Sequence, residues 1–488
     1  MFEKLKQLSK DTAVYGISTM LGRFLNFLLV PFYTNIFMPA EYGIITNVYA
    51  FMALFNIILL YGMDSAFLKF ASLNELGDEK DNFSTPYLSV LIVSFIVSTV
   101  LLFFRSSVSV ALGVEHSYQY LFYFVSPILF LDAITAIPFI KLRLQRKAKK
   151  FAAIKIINIV TNVILNLVFI LKLKSGIEGV FISNLAASAI TLILMVPLIR
   201  ENIRFRIHKQ LLARLLKFGI PYLPSGLASM MIQVINRPII EKLTNLSTLG
   251  IYQANYKLGI FMMLFVNMFQ YAWQPFFMAE SKEQNAKQTF AKVLTYFLIV
   301  GSVILVVMSL FIDDLVMMSI FGKHLIGEAY WSGLKIVPVV LFAYLLNGLY
   351  VVFTAGIFIK EKSIYVPFIT GAGAVINIAA NIILIPVLGI MGAALATLAS
   401  YAIMAALLFL VTQKIYQVNY EYGRIIKIFL IIGLLGFAYY YLLSIDSLDF
   451  MIKAGLLMLF FVSMLIFVLD RNEWNFILKK FFKSSKNV

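Results

Sequence analysis

Long apolar stretches follow one another along almost the whole chain, and short charged breaks separate them. Each stretch holds about 20 residues, the length that a helix needs to cross the hydrocarbon core of a membrane. The pattern therefore predicts an all-α polytopic membrane protein with about 14 transmembrane helices. The spans are expected near 12–36, 43–70, 86–104, 118–140, 151–171, 177–199, 217–241, 248–275, 290–312, 331–358, 364–386, 388–411, 424–443 and 450–469.

The stretch 22–72 recurs in diluted form 207 positions later, without a gap. A second repeated pattern places two asparagines four residues apart in span five and again in span eleven. Spans 1–6 and 7–12 are therefore expected to be two halves, and because six is an even number, both halves enter from the same side as parallel repeats around a central cavity. The matched residues are Pro31 and Pro238, Gly43 and Gly250, Ile44 and Ile251, Tyr49 and Tyr256, Phe70 and Phe277, Asn162 and Asn377, and Asn166 and Asn381.

This repeat predicts three parts of the chain. Residues 1–205 form an N-terminal six-helix bundle, residues 206–415 form a second one, and residues 416–488 hold helices 13 and 14 and a tail. The longest connection on the outer side, near 313–330, is short for a membrane polymerase or sugar transferase, which needs a sizeable loop or domain outside the membrane to hold its acceptor and catalytic groups.

Composition agrees with a membrane protein, since 61% of the residues are hydrophobic and the mean hydropathy is +0.90. With the N-terminus in the cytoplasm, about 30 of the 41 Lys and Arg residues lie in inner breaks and about 7 in outer breaks. The net charge of +17 is thus explained by topology rather than by nucleic acid. Both termini and the basic stretches 141–150 and 200–217 are expected in the cytoplasm, where they contact anionic lipids.

Several kinds of chemistry are excluded by the residues that the chain lacks. It has no cysteine, so disulfides, thiolate metal sites and cysteine nucleophiles are absent. Its three histidines, His116, His208 and His324, are scattered in breaks, which argues against a histidine metal site. The amphipathic start of the chain does not have the pattern of a removable signal peptide.

Six motifs resemble those of the polysaccharide transporter family, the O-antigen and capsule-repeat flippases. This family belongs to the superfamily that also holds multidrug and toxin extruders and the lipid II flippase. The resemblance spans nearly the whole chain. The motifs are GRFLNFLLVPFYTNIFMPAEYG at 22–43, YGMDSAFLKF at 61–70, KLRLQRKAKKFA at 141–152, GIYQANYKLG at 250–259, FGKHLIGEAYWSGLKIVPVVL at 321–341 and GIMGAALATLAS at 389–400.

The resemblance implies a fourteen-helix transporter of the bacterial cytoplasmic membrane with two bundles around a central cavity. Such a protein moves a lipid-linked oligosaccharide, carried on undecaprenyl-pyrophosphate, from the cytoplasmic to the outer leaflet. Its implied partners are this substrate, membrane lipids and other proteins of surface-polysaccharide assembly. No cofactor is implied, although coupling to H⁺ or Na⁺ is an open alternative.

Ionisable side chains within membrane spans are functional candidates, because an unpaired charge there costs about 2.5–3.5 kcal/mol on insertion scales. The cations outnumber the acids, and this positive surplus suits an anionic ligand such as a diphosphate, for which arginine offers a planar bidentate donor. The cations are Arg23, Lys155, Arg237 and Lys257, and the acids are Asp64 and Asp132.

Several of these residues also have a structural interpretation. Lys155 is close to a span end, where it can snorkel to the surface or pair with Asp132. Arg237 can snorkel in the same way at the outer end. Asp64 is either a salt-bridge partner of Arg23 or a proton or sodium site.

Polar side chains near these charges complete the predicted cavity. Asn236, Gln270 and Trp273 are candidate contacts to the substrate, although the tryptophan has the alternative role of an interfacial anchor. The repeated asparagines are expected to link helices by hydrogen bonds. Pro221 and Pro224 predict a bend in span seven.

The leading functional prediction is therefore a flippase without covalent chemistry. The absence of a Gly-rich phosphate-binding motif argues against built-in nucleotide hydrolysis. Two alternatives stay open, a multidrug extruder of the same fold and a membrane-embedded glycan polymerase. A drug extruder is expected to present carboxylates to cationic drugs, and the surplus here has the opposite sign.

Overall fold

The structure, a computed structural model, is built almost entirely of helices, as the pattern predicts. It describes residues 27–470 and Glu473, apart from 71–76 and the single positions 113, 115, 146, 282, 321, 361 and 363. The first helices are α1 at 27–34, α2 Pro39–Leu60, α3 Met63–Phe70, α4 Glu79–Phe103, α5 Arg105–Ala111, α6 Phe122–Leu144, α7 Ala148–Asn166 and α8 Gly176–Asn202.

The chain continues with a second series of helices, one short β-hairpin and a final helical pair. A turn of 3₁₀ helix at Lys257–Gly259 precedes α13, and a longer one at Glu328–Ile336 precedes α15. The elements are α9 Lys209–Gly219, α10 Tyr222–Val234, α11 Asn236–Leu243, α12 Leu246–Tyr256, α13 Ile260–Glu280, α14 Ala286–Met317, β1 Ser319–Ile320, β2 Lys323–His324, α15 Val337–Ile359, α16 Tyr365–Leu388, α17 Ile390–Ile415, α18 Tyr422–Ser444 and α19 Phe450–Phe467.

Eleven helices of the described part are long and apolar enough to cross a membrane, or twelve if the pair α9 and α10 is one bent span. The predicted number of 14 is not confirmed. Most of the first predicted span lies outside the described residues, and the eighth is divided by the turn Lys257–Gly259 into α12 and α13. The predicted bend in span seven is present, since α9 and α10 meet at 43° beside Pro221.

The same order of packing appears in the first series of helices, α1 to α8, and in the second series, α9 to α17. In the first, α6 packs against α4 and α8, and α8 packs against α7; in the second, α15 packs against α14 and α17, and α17 packs against α16. The repeated asparagines also make the same bonds. The Asn166 amide donates to the carbonyl and side-chain oxygens of Asn162, and Asn381 does the same to Asn377. The boundaries at 205 and 415 stay a prediction.

The two series meet where α2 lies against α12. A Cβ added to Gly43 would overlap the carbonyl oxygen of Leu246, and one added to Gly250 would overlap that of Pro39. Positions 39 and 246, like 43 and 250, are 207 residues apart, so the contact is reciprocal. Two glycines at equivalent positions therefore let two equivalent helices approach backbone to backbone.

A second set of contacts lies at one end of the bundle, which we call the hairpin end because it carries β1 and β2. The amide of Asn35 donates to the carbonyl of His324 at 2.8 Å, and the hydroxyl of Tyr330 donates to the carbonyl of Phe37 at 2.8 Å. These bonds tie the chain after α1 to the connection between α14 and α15. The connection near 313–330, which the sequence predicts on the outer side, thus joins the two series through hydrogen bonds.

The opposite end, which we call the linker end, holds the connection between α8 and α9. The Arg204 guanidinium pairs with Asp78 at 2.8 Å and with Asp81 at 3.3 Å. A hydrogen bond from the Asp81 backbone N–H, and then the charge of Arg204, hold the pKa of the Asp78 carboxyl below its usual range. Here α9 packs against α3, where the carbonyl of Gly219 leaves no room for a Cβ on Gly62. The two series thus touch at both ends.

The final pair, α18 and α19, is fastened to α14 by charged groups at both ends. The buried Lys453 ammonium lies 2.7 Å from Asp313 and 2.6 Å from Asp314. At the other end, Thr295 and Tyr296 of α14 donate hydrogen bonds to Glu421 at 2.5 Å and to Glu473 at 2.6 Å, and Arg424 pairs with both carboxylates. Because buried ion pairs are costly to break, the final pair is expected to move together with α14.

The close approach of α2 and α12 makes a direct prediction. Gly43→Ala and Gly250→Ala should each destabilise the protein by about 1–3 kcal/mol, because the added methyl group forces two backbones apart. Thermal unfolding of purified protein in detergent measures this loss. The matched control is Gly371→Ala within α16, where an added Cβ meets no atom within 4 Å and should be neutral or slightly stabilising. Equal melting temperatures for all three variants would contradict the close contact.

Candidate functional site

Two half-buried cations lie where the second series of helices faces α2. Arg237 is the second residue of α11, which follows α10 after a single residue. Its guanidinium donates to the carbonyl oxygen of Thr46 on α2 at a long distance of 3.4 Å. Arg237 therefore reaches from the second series of helices to α2; its place in a substrate cavity stays a prediction.

Lys257 approaches the same helix from the turn that separates α12 from α13. Its ammonium lies 5.5 Å from the centre of the Tyr42 ring, within the range of a cation–π contact. The break in the eighth predicted span thus has a local consequence, because it places this lysine at the interface. We call Arg237, Lys257 and Tyr42 the interface site.

Tyrosines surround this site. Four phenol groups lie within electrostatic range of Arg237, and two of them, Tyr256 and Tyr344, are joined by a hydrogen bond of 3.2 Å. Tyr42 is fully buried, and its hydroxyl has no hydrogen-bond partner among the described residues. The four phenols belong to Tyr42, Tyr252, Tyr256 and Tyr344.

The charges of the interface site are not balanced by nearby acids. Among the residues that the structure describes, no carboxylate lies within 4 Å of Arg237 or Lys257. A cation enclosed between helices without a counter-ion is costly even when it is half-buried, and a buried hydroxyl without a partner adds a further cost. An anionic ligand that accepts hydrogen bonds would offset both costs, which is the chemistry expected of a phosphate.

Asn236, predicted to contact substrate, lies beside Arg237 but faces a different set of groups. Its amide nitrogen donates to Tyr252 at 3.0 Å and to Thr397 at 2.8 Å, and its oxygen accepts from Asn381 at 2.8 Å. These bonds link α11 with α12, α16 and α17 and use both amide protons. In this conformation Asn236 serves helix packing rather than an open cavity.

Trp273 and Gln270 lie on α13. The contacts that the structure gives for Trp273 include no residue of the interface site. The Trp273 ring is 2% exposed, and its indole N–H donates to the carbonyl of Val352 at 3.2 Å. Aromatic rings enclose it, so it has no free face on which a sugar could stack here. Gln270 is half-buried. The neighbours of Trp273 are Phe269, Phe276, Phe277 and Phe290.

Asp132 and Lys155 are both in the first series of helices, but they do not form a salt bridge. The Asp132 carboxylate accepts a hydrogen bond from Ser188 at 2.7 Å. The Lys155 ammonium instead lies over the Phe139 ring, 4.1 Å from its centre. The two charges still interact over a longer range, so a pair that forms in another conformation stays a prediction.

Arg23, the deepest predicted cation, lies outside the described residues. Asp64 is half-buried near the start of α3, and within the described part of the chain no cation lies within 4 Å of its carboxylate. A pairing of Asp64 with Arg23, and a role in ion coupling, both stay predictions.

Sequence reasoning did not single out Tyr42 or the tyrosines that surround the interface site. The repeat offered one signal, because Tyr49 and Tyr256 are equivalent positions. Tyr49 accepts a hydrogen bond from Asn184, and Tyr256 from Tyr344. Tyr42 has no tyrosine at its equivalent position, Leu249, so the repeat alone could not indicate it.

Comparison with known proteins shows the family to which the chain belongs. A family model described as polysaccharide biosynthesis protein matches residues 8–281, more than half of the chain. This match confirms the family resemblance read from the motifs. No curated protein sequence matches the chain significantly.

Solved structures share the fold at low sequence identity. A lipid II flippase MurJ in an inward closed conformation has a TM-score of 0.74 and 17% identity, and the match covers 93% of this chain and 98% of that one. A multidrug resistance MATE family transporter of the MOP superfamily, in an inward-facing conformation, has a TM-score of 0.65 and 14% identity, with 83% and 97% covered. An outward-facing conformation has a TM-score of 0.60 and 13% identity, with 83% and 95% covered.

The unpartnered hydroxyl of Tyr42 makes a prediction that separates stability from function. Tyr42→Phe removes a buried group without a partner, so the free energy of unfolding should stay equal or rise by about 1 kcal/mol, while ligand affinity falls. The control is Tyr33→Phe, because the neighbouring Tyr33 hydroxyl donates to Asn166 at 2.8 Å. That change should destabilise the protein by about 1–3 kcal/mol. Thermal unfolding and transport are measured for both, and a destabilised Tyr42→Phe would show that its hydroxyl is satisfied.

Proposed function

We propose that this chain, which belongs to the polysaccharide biosynthesis protein family, is a flippase for a lipid-linked oligosaccharide repeat unit. In this proposal the substrate is carried on undecaprenyl-pyrophosphate and crosses the bacterial cytoplasmic membrane by alternating access between two halves. The family match and the fold shared with a lipid II flippase and with MATE transporters support a transporter of this class.

The observation that carries the proposal is the interface site. Arg237 and Lys257 bring two positive charges between the helices of the two series, without a carboxylate within 4 Å among the described residues. A diphosphate would supply the missing negative charge, and the guanidinium would bind it through two parallel hydrogen bonds. Arg23, which lies outside the described residues, is proposed as a third cation of the same site.

A second feature supports a lipid-linked substrate. An apolar cavity of about 220 Å³ lies between α14, α15 and α18, bordered by Leu305, Phe342 and Phe429 among others. A polyprenyl chain is a hydrocarbon that such a surface would hold without polar contacts. The head group and the tail of one substrate would then be recognised by different parts of the protein.

A multidrug extruder of the same fold is the main alternative. The MATE family includes multidrug resistance transporters, so the fold does not separate the two functions. The sign of the interface site does, because cationic drugs would be repelled by Arg237 and Lys257. Transport also needs a source of energy. We propose either a proton or sodium gradient, coupled through Asp64 or Asp132, or consumption of the product on the far side of the membrane.

Neutralising the interface site tests the function. Arg237→Gln and Lys257→Gln should each lower translocation of a lipid-linked oligosaccharide in proteoliposomes by about 10- to 150-fold, since a hydrogen bond to a charged group contributes roughly 1.5–3 kcal/mol. Charge reversal to Glu should lower it further. The matched control is Lys242→Gln, an exposed cation at the other end of α11, which should transport normally.

Each variant must be present in the membrane at the abundance of the parent protein. If Arg237→Glu and Lys257→Glu both transport normally at that abundance, the anionic-ligand proposal is wrong. Efflux of a cationic dye that rises in the Glu variants would instead favour the drug extruder.

The proposed direction of transport requires the linker end to face the cytoplasm. Because the chain has no cysteine, single cysteines can be introduced at exposed Lys147 near the linker end and exposed Lys323 at the hairpin end. A membrane-impermeant thiol reagent should label Lys323→Cys in intact cells and leave Lys147→Cys unlabelled until the cells are lysed. The reverse pattern would invert the orientation.

A further inference from the structure

The helix α9 is strongly amphipathic and lies outside the interface site. Its apolar face is formed by Leu211 and Leu215, which are 2% and 1% exposed and lie on the side that packs against α3 and α4. Its opposite face carries the exposed residues Lys209 and Lys217, whereas Arg214 lies at the edge of this face, against Phe70 of α3. The apolar face is already used within the protein, so only the basic face is available to an external partner.

The ends of α9 carry apolar side chains that protrude from the protein. Phe205 in the linker before the helix is 87% exposed, and Ile220 and Tyr222 after it are 51% and 49% exposed. Exposed aromatic and aliphatic groups that flank a basic helix are typical of helices that lie in the membrane interface. The linker also carries Arg206, which is exposed like the neighbouring Arg204.

The position of α9 connects this surface to the contact between the two series of helices. The backbones of Gly62 and Gly219 touch there. Next to them, the Lys69 ammonium lies 4.1 Å from the centre of the Phe218 ring, and the Arg214 guanidinium lies 5.0 Å from that of Phe70. Cation–π contacts thus run in both directions between α3 and α9.

We propose that the basic face of α9, together with Arg206, binds the phosphate groups of anionic phospholipids and thereby stabilises the contact between α3 and α9. Lipid phosphates bound to Lys209 and Lys217 would hold α9 at head-group depth, the position in which its apolar face packs against α3 and α4. Anionic lipid would therefore favour the conformation that is closed at the linker end. This inference concerns membrane phospholipid and does not depend on the identity of the transported substrate.

Charge complementarity decides in favour of phospholipid over other occupants. The basic face is open to the surroundings of the bundle, where lipid head groups are the most abundant anions, whereas the interface site is enclosed between helices. Each lysine near an anionic surface contributes about 1 kcal/mol, which corresponds to about a fivefold change in affinity.

The test measures the distance between α3 and α9 directly. Spin labels are attached to cysteines at the exposed positions Leu68 and Ala213, and the protein is placed in nanodiscs of phosphatidylcholine alone or with phosphatidylglycerol. Phosphatidylglycerol should shift the distance distribution to shorter and narrower values. High salt should weaken the shift, because it screens exposed charges.

Charge removal provides the decisive comparison. The double variant Lys209→Gln/Lys217→Gln should require roughly tenfold to thirtyfold more phosphatidylglycerol for the same shift. The matched control Lys149→Gln/Lys150→Gln removes two exposed lysines from α7, also at the linker end but away from α9, and should respond like the parent protein.

Three outcomes would overturn the inference. These are a distance distribution that is the same in both lipids, an equal loss of response in the α7 control, and a shift that depends on the number of protein copies per disc, which would indicate a second chain as the occupant. Because no substrate is present, failure of this inference leaves the proposed transport function untouched, and failure of the transport function leaves this inference untouched.

Discussion

The backbone contact between α2 and α12 is the constraint on which the rest of the arrangement depends. Gly43 and Gly250 have no side chains, so the two helices can approach until each glycine meets a carbonyl of the other helix. This distance brings Arg237 within reach of Thr46 and Lys257 within reach of Tyr42. With larger residues at the two glycine positions, the cations of the second series and the Tyr42 phenol of the first would no longer share a site.

Charged groups have acidic partners in some parts of the bundle and lack them in others. At the two ends of the bundle, cations have acidic partners, as Arg204 has with Asp78 and Lys453 with Asp313. At the contact between α2 and the second series, the described residues provide phenols and the Thr46 carbonyl around Arg237 but no carboxylate within 4 Å. Phenols and carbonyls can stabilise a cation partly without neutralising it. A site of this kind keeps its attraction for an anion, which a full salt bridge would remove.

Much of the fold could be predicted from the sequence, because helix length, apolar runs and repeats are encoded locally. The bend beside Pro221 and the bonds within the pairs Asn162–Asn166 and Asn377–Asn381 follow from residues close together in the chain. The interface site could be predicted only in part. A charged residue within a span indicates a functional position, but the side of the helix that it faces depends on tertiary packing. Asn236 and Trp273 show the limit, since their partners come from helices far away in sequence.

The two ends of the bundle differ in how the series of helices are joined, and this difference has a mechanical consequence. At the hairpin end, hydrogen bonds to backbone carbonyls such as those of His324 and Phe37 hold the contact. These neutral bonds respond little to ionic strength. At the linker end, cation–π contacts of Lys69 and Arg214 accompany the glycine contact, and charged groups near the membrane surface respond to lipid and salt. We therefore expect the contact at the linker end to respond more to the membrane around the protein than the contact at the hairpin end, which depends chiefly on the protein itself.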